Sequence, residues 1–126
     1  MQVNTTRPVN LDLTKFRFPP MAILSIAHRV SGVILFLFVP FFIYTLHQSV
    51  ASPTSFLMLQ HALRGFWMRL AMWIGVSVTL FHLLSGIRHM VMDLGYWESI
   101  RAGKCSTYTV FLLGLIVTIL VGVWVW

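Results

Sequence analysis

The sequence predicts an all-α integral membrane protein with three transmembrane helices, and three observations carry that prediction. Hydrophobic residues make up 58% of the 126 residues and charged ones only 10%, with a mean hydropathy of +0.84, whereas a small soluble domain needs more charge to cover its surface. The apolar residues fall in blocks: no Asp, Glu, Lys or Arg occurs between Arg29 and Arg64, between Arg69 and Arg88, or after Lys104. Each block, flanks included, reaches the length of about 20 residues that a helix needs to cross a hydrocarbon core of roughly 30 Å. The short alternating segments of a membrane β-barrel are absent. One domain, residues 1–126, is expected, with a polar N-terminal tail over 1–20.

The tail ends in Pro19-Pro20. Proline suits a first helical turn, so the first helix is placed over about 21–50, with a kink at Pro40. Residues 51–62 read as an outer loop turning at Ser52-Pro53-Thr54. The second helix spans about 64–94, with Gly95 as its C-terminal stop. An inner loop, GYWESIRAGK, precedes a third helix over about 106–126 that ends in the interfacial aromatics Trp124 and Trp126.

Nine Lys and Arg against three Asp and Glu give a net charge of +6. The cations sit at segment ends rather than along one face, which argues against nucleic-acid binding. Arg7, Lys15, Arg17, Arg29, Arg88, Arg101 and Lys104 lie on one side of the spans, and Arg64 and Arg69 on the other. The positive-inside rule therefore places the N-terminus and the inner loop in the cytoplasm and the C-terminus outside. The single Cys105 excludes an intrachain disulfide. The first twenty residues hold no signal-peptide core, so the first helix is expected to direct insertion itself.

Ionisable groups inside a span are costly and point to function. In HLLSGIRH, residues His82, Ser85, Gly86 and His89 share one helix stripe. His82 lies eleven residues before Asp93, or about 16 Å deep on helical rise. A neutral imidazole at that depth can ligate a metal, and Gly86 leaves flat space beside it. A histidine bonded to a neighbouring helix carbonyl is the competing reading. In SIAHR, residues Ser25, His28 and Arg29 form a polar patch near the cytoplasmic face. Its hydroxyl and guanidinium suit a ligand with carbonyl oxygens such as a quinone, and its guanidinium suits carboxylates. Arg29 also reads as a flanking residue that snorkels to the headgroups. His47 and His61 are placed near the outer surface, and Arg88, His89 and Asp93 near the inner one.

The segments RPVNLDLTKFRFPPMAILSIAHRVSG (7–32) and HLLSGIRHMVMDLG (82–95) resemble the cytochrome b anchor subunits of succinate dehydrogenase, respiratory complex II. The resemblance covers most of the chain and is most specific in those two segments. It implies that His82 is an axial ligand of haem b, with the other axial His supplied by a second hydrophobic anchor subunit. It implies a ubiquinone site lined by Ser25, Arg29 and Asp93, and haem propionates near His28 and Arg29. The implied partners are a flavoprotein subunit, an iron–sulfur subunit and that second anchor. The implied location is the bacterial inner membrane, with the N-terminus cytoplasmic and the C-terminus periplasmic. The chain would then be part of an enzyme rather than a complete one.

Other classes remain open on the residues alone. A haem-free anchor of the fumarate-reductase type would keep the quinone chemistry without a chromophore. A small proton-conducting subunit would use His82, Arg29 and Asp93 as a path. A cytochrome with both haem ligands in one chain would need a second deep His facing His82, and the one candidate, His28, is placed too near the surface.

Overall fold

The computed structural model describes residues 17–97 and 99–126. Arg7, Lys15 and the tail up to residue 16 lie outside the described residues, as does Glu98. The chain forms α1 (Pro20–Ala51), α2 (Pro53–Ala62), α3 (Phe66–Asp93) and α4 (Ile100–Val125). No strand occurs among the described residues. The helices α1, α3 and α4 are long and apolar enough to cross a membrane. Their 32, 28 and 26 residues correspond to about 48, 42 and 39 Å at 1.5 Å per residue, enough to carry their ends into the headgroup layers.

α1 opens with Pro20 in its first turn behind an extended Pro19, and runs through Pro40 as one helix. Two boundaries differ from the expectation, and both turn on serine caps. The outer connection is a ten-residue helix, because Ser52 accepts a hydrogen bond from the Ser55 amide (3.1 Å) and Pro53 takes the first helical position. α4 begins at Ile100 rather than near residue 106, because Ser99 accepts from the Ala102 amide (3.2 Å). α3 ends as expected at Gly95, whose φ of 85° few side chains tolerate. There the Gly95 amide donates to the Met92 carbonyl (2.9 Å) and the Tyr96 amide to the Val91 carbonyl (3.3 Å), the paired bonds of a Schellman stop.

α3 is the hub of the bundle: it packs on both α1 and α4, α1 also meets α4, and α2 folds back onto α1. Beside the buried Leu24, Leu59, Val110 and Val121, the interior holds many small and polar residues. Ser31, Ser77, Ser85, Arg88 and Thr107 are buried, as are Gly75, Gly103 and Gly114. Large apolar side chains such as Phe36, Leu37, Leu120 and Val123 face outward. Such an inverted distribution suits lipid, where helices associate through close packing and interhelical hydrogen bonds. Gly75 receives the rings of Phe38 and Phe42 from α1, and Gly114 on α4 receives Phe81 from α3. At the far end the Trp73 indole donates to the Thr118 carbonyl (2.9 Å), tying α3 to α4.

Candidate functional site: a histidine cluster between α1 and α3

His28 stands eight residues into α1 from Pro20, and His82 eleven residues before the end of α3 at Asp93. These correspond to depths of about 12 and 16 Å on helical rise. The antiparallel helices bring the two side chains to one level. Their rings stack with centroids 4.1 Å apart and planes 26° from parallel. His89, two turns along α3 from His82, is tilted against the His28 ring with centroids 5.0 Å apart. The expectation that His28 lies too near the surface to meet His82 is therefore corrected: the α1 register carries its ring inward onto α3.

Of the α3 stripe expected from the spacing, His82, Gly86 and His89 face His28 of α1. A Cβ placed on Gly86 would lie 3.7 Å from His28 Nε2, and one placed on Gly32 would lie 3.2 Å from His82 Cε1. Gly32 thus leaves clearance that the His82 ring uses, whereas a Cβ on Gly86 would only touch His28 at ordinary contact distance. Ser85, on the same stripe, is wholly buried, and its hydroxyl has no hydrogen-bond partner. His28 Nε2 is likewise buried without a partner. Unpaired buried polar atoms are rare and call for an explanation; the His28 nitrogen lies within the cluster itself.

Sequence reasoning passed over Ser31. Its hydroxyl lies 2.8 Å from His82 Nδ1 and 2.6 Å from the His28 carbonyl. Ser31 falls at i+3 from His28 on α1, inside the quoted HRVSG segment, and that spacing is the signal that could have found it. His82 is bonded through Nδ1, and its Nε2 makes no hydrogen bond and is not enclosed. Among the described residues no group of three His, Cys, Asp or Glu side chains is arranged to hold a metal ion. His28 and His82 stack face to face instead, with His89 tilted against His28. Stacked rings cannot aim nitrogens at one metal from opposite sides, so His28 as placed does not complete a bis-histidine pair with His82.

The expected patch of Ser25, His28 and Arg29 is divided by the helix. His28 turns inward to α3, Arg29 is exposed and Ser25 is half-buried one turn away. Asp93 is exposed at the last turn of α3. No hydrogen bond or ion pair among the described residues joins Ser25, Arg29 and Asp93. His47 and His61 are exposed on α1 and α2. Arg88 is turned inward rather than snorkelling: its Nε donates to Ser106 Oγ (3.0 Å) and its Nη2 to the Gly103 carbonyl (3.2 Å).

The haem expected for such a chain can be tested against these side chains. They fit: one imidazole is fixed at Nδ1 with its Nε2 open, Gly32 leaves the clearance its ring uses, and a neighbouring imidazole holds a buried nitrogen without a partner.

Comparison with known proteins agrees. Residues 3–121 match the family of succinate dehydrogenase/fumarate reductase transmembrane subunits. A succinate dehydrogenase cytochrome b556 subunit of Coxiella burnetii is 58% identical over 125 residues, covering 98% of this chain and 100% of that protein. The cytochrome b556 subunit of Rickettsia typhi is 31% identical over 97% of this chain and 95% of its own. That of Paracoccus denitrificans is 29% identical over 90% and 88%. With three apolar spans and a half-buried histidine cluster between two of them, the chain belongs to the family of succinate dehydrogenase and fumarate reductase transmembrane subunits, among the cytochrome b anchors of succinate dehydrogenase.

Proposed function

We propose that the chain binds haem b through His82 and helps to form the site at which a succinate dehydrogenase reduces ubiquinone. The observation that carries the haem assignment is the His82 imidazole, bonded at Nδ1 to Ser31 and without a hydrogen bond at Nε2. Haem would supply one-electron redox chemistry in the membrane. His82 would hold the iron, and His28 and Arg29 would face the propionates: the His28 Nε2 atom lacks a partner, and guanidinium binds carboxylates as a fork. The second axial His would come from the second hydrophobic anchor subunit, consistent with the stacking that withholds His28 from that role.

Ubiquinone reduction takes up two electrons and two protons to give ubiquinol. Ser25 and the exposed Arg29, one turn apart on α1, are the donors proposed for the quinone oxygens, and Asp93 at the end of α3 is a carboxylate at the aqueous edge. The electrons would arrive from succinate through the flavoprotein and iron–sulfur subunits. The cation distribution supports a bacterial inner-membrane orientation with the N-terminus cytoplasmic and the C-terminus periplasmic. A haem-free anchor and a proton-conducting subunit are less well supported, because the relatives are cytochromes b556 by name.

The test is a reduced-minus-oxidised spectrum of the complex purified from membranes. Wild type should show a b-type spectrum that His82→Ala weakens or shifts; an unchanged spectrum would remove the ligand assignment. Ser25→Ala and Arg29→Ala should lower succinate–quinone activity while sparing succinate oxidation by an artificial dye. Equal losses in both assays would assign these residues to assembly instead.

A further inference from the structure

We infer that Ser31 is a positioning residue for His82: it fixes the imidazole as the Nδ1–H tautomer, so that the Nε2 lone pair is the one presented to iron. This rests on the assignment of His82 as a haem ligand. The Ser31 hydroxyl has a single proton and two neighbours. A carbonyl only accepts, and two oxygens 2.6 Å apart require a proton between them, so the hydroxyl proton goes to the His28 carbonyl. Ser31 Oγ can then meet His82 Nδ1, 2.8 Å away, only as an acceptor. The imidazole proton therefore sits on Nδ1, and Nε2, which makes no hydrogen bond, keeps its lone pair.

The arrangement is rigid from both sides. Ser31 is buried on α1 and bonded back to its own helix, so its oxygen cannot swing away without breaking that bond. The His28 ring covers one face of His82, and Gly32 leaves the clearance that His82 Cε1 occupies. An acceptor on the far nitrogen of a ligating histidine fixes the ring's orientation and raises the basicity of the ligating nitrogen, and losing such a partner typically costs about 10–100-fold in metal affinity. Because Ser31 lies on α1 and His82 on α3, the pair also joins the two helices at the level of the ligand.

The test uses the assembled complex, with haem normalised to flavin. Ser31→Ala removes the acceptor, and Ser31→Thr restores a hydroxyl that can bond the same way. Two readouts that a mere packing role would not move together are the rate of haem release to excess apomyoglobin and the haem midpoint potential. Ser31→Ala should release haem about 10-fold faster and raise the midpoint potential, since a less basic ligand favours ferrous iron. Ser31→Thr should hold both near wild type. Ser31→Cys, of similar volume with a weak acceptor, should shift both in the same direction as alanine and serves if the alanine complex does not assemble. Wild-type release and potential in Ser31→Ala, or in Ser31→Cys where alanine fails, would overturn the positioning role if His82→Ala still loses the chromophore. An unaltered spectrum in His82→Ala would instead remove the ligand assignment beneath it.

Discussion

The His28 ring lies on the His82 ring at a centroid distance of 4.1 Å, so a residue of α1 forms one wall of the space around the imidazole that α3 contributes. The contact sits beside Gly32, where a Cβ would crowd the His82 ring. The His82 imidazole on α3 is thus held by α1 through a ring face, a hydroxyl and a missing Cβ. Its geometry is a property of the packed pair of helices, and changes on α1 should be read out at His82.

Gly32 gives the most direct case. A Cβ there would stand 3.2 Å from His82 Cε1, tighter than ordinary contact, so the ring must yield by a few tenths of an ångström. Gly32→Ala should therefore keep a b-type absorbance with reduced haem content, and Gly32→Leu should lose most of the haem because a branched side chain displaces the ring outright. Haem per flavin in the purified complex measures both. Full occupancy in Gly32→Leu would show that the clearance is not required.

His28→Phe separates the ring from its nitrogen. Phenylalanine keeps an aromatic face against His82 and removes a buried Nε2 that has no partner, an atom whose burial costs about 1–3 kcal/mol when unsatisfied. The variant should assemble at wild-type levels yet retain haem less well, since the proposed propionate partner is gone. Chain content by immunoblot and haem by pyridine haemochromogen decide it; undiminished haem retention would leave His28 a packing residue only.

Much of this was legible before any coordinates. The charge-free blocks located all three spans, and the i, i+3, i+4, i+7 spacing from His82 to His89 correctly put His82, Gly86 and His89 on one face. The α2 helix was missed because Ser52-Pro53-Thr54 was read as a turn, although a serine cap followed by proline is also how helices start. The start of α4 was missed for a related reason: Arg101 and Lys104 looked like loop charges, but they ride on an interfacial turn capped by Ser99. The His28–His82 stack and the Ser31 bond depend on the relative register of α1 and α3, which no local pattern encodes. The place of His28 near the start of the first helix suggested too shallow a level, whereas packing brings its ring onto His82.

The glycines on α3 and α4 should differ in what they tolerate. A Cβ on Gly75 would come within 2.8 Å of Phe38 and 2.9 Å of Phe42, two rings that also pack on one another. A Cβ on Gly103 would come within 2.7 Å of Met21 Sδ, part of a flexible thioether that can re-route. Gly75→Ala should destabilise the bundle by about 1–3 kcal/mol, the range for overpacking, and Gly103→Ala by less. Thermal loss of the complex in detergent ranks the two, and the reverse order would count against the packing account.

Arg88 supplies the last contrast, between deleting a charge and stranding it. The guanidinium is 4% exposed and bonds Ser106 Oγ and the Gly103 carbonyl on α4. That carbonyl also accepts from Ser106 Oγ (3.1 Å) and Thr107 Oγ1 (2.8 Å). Arg88→Met would therefore leave no α4 group unpaired and would fill similar volume with an apolar chain. Ser106→Ala removes far fewer atoms, but takes the partner from the Nε of a buried cation. Leaving a buried donor unsatisfied costs about 1–3 kcal/mol, and more when it is charged, whereas replacing a buried charged group by an apolar one of like size is often near neutral. The smaller substitution should thus be the more damaging, and adding Arg88→Met to Ser106→Ala should recover stability rather than lose more. A double-mutant cycle on the unfolding temperature of the detergent-solubilised complex measures the coupling between contacting residues. Strictly additive losses would mean that Arg88 finds another partner when Ser106 is removed.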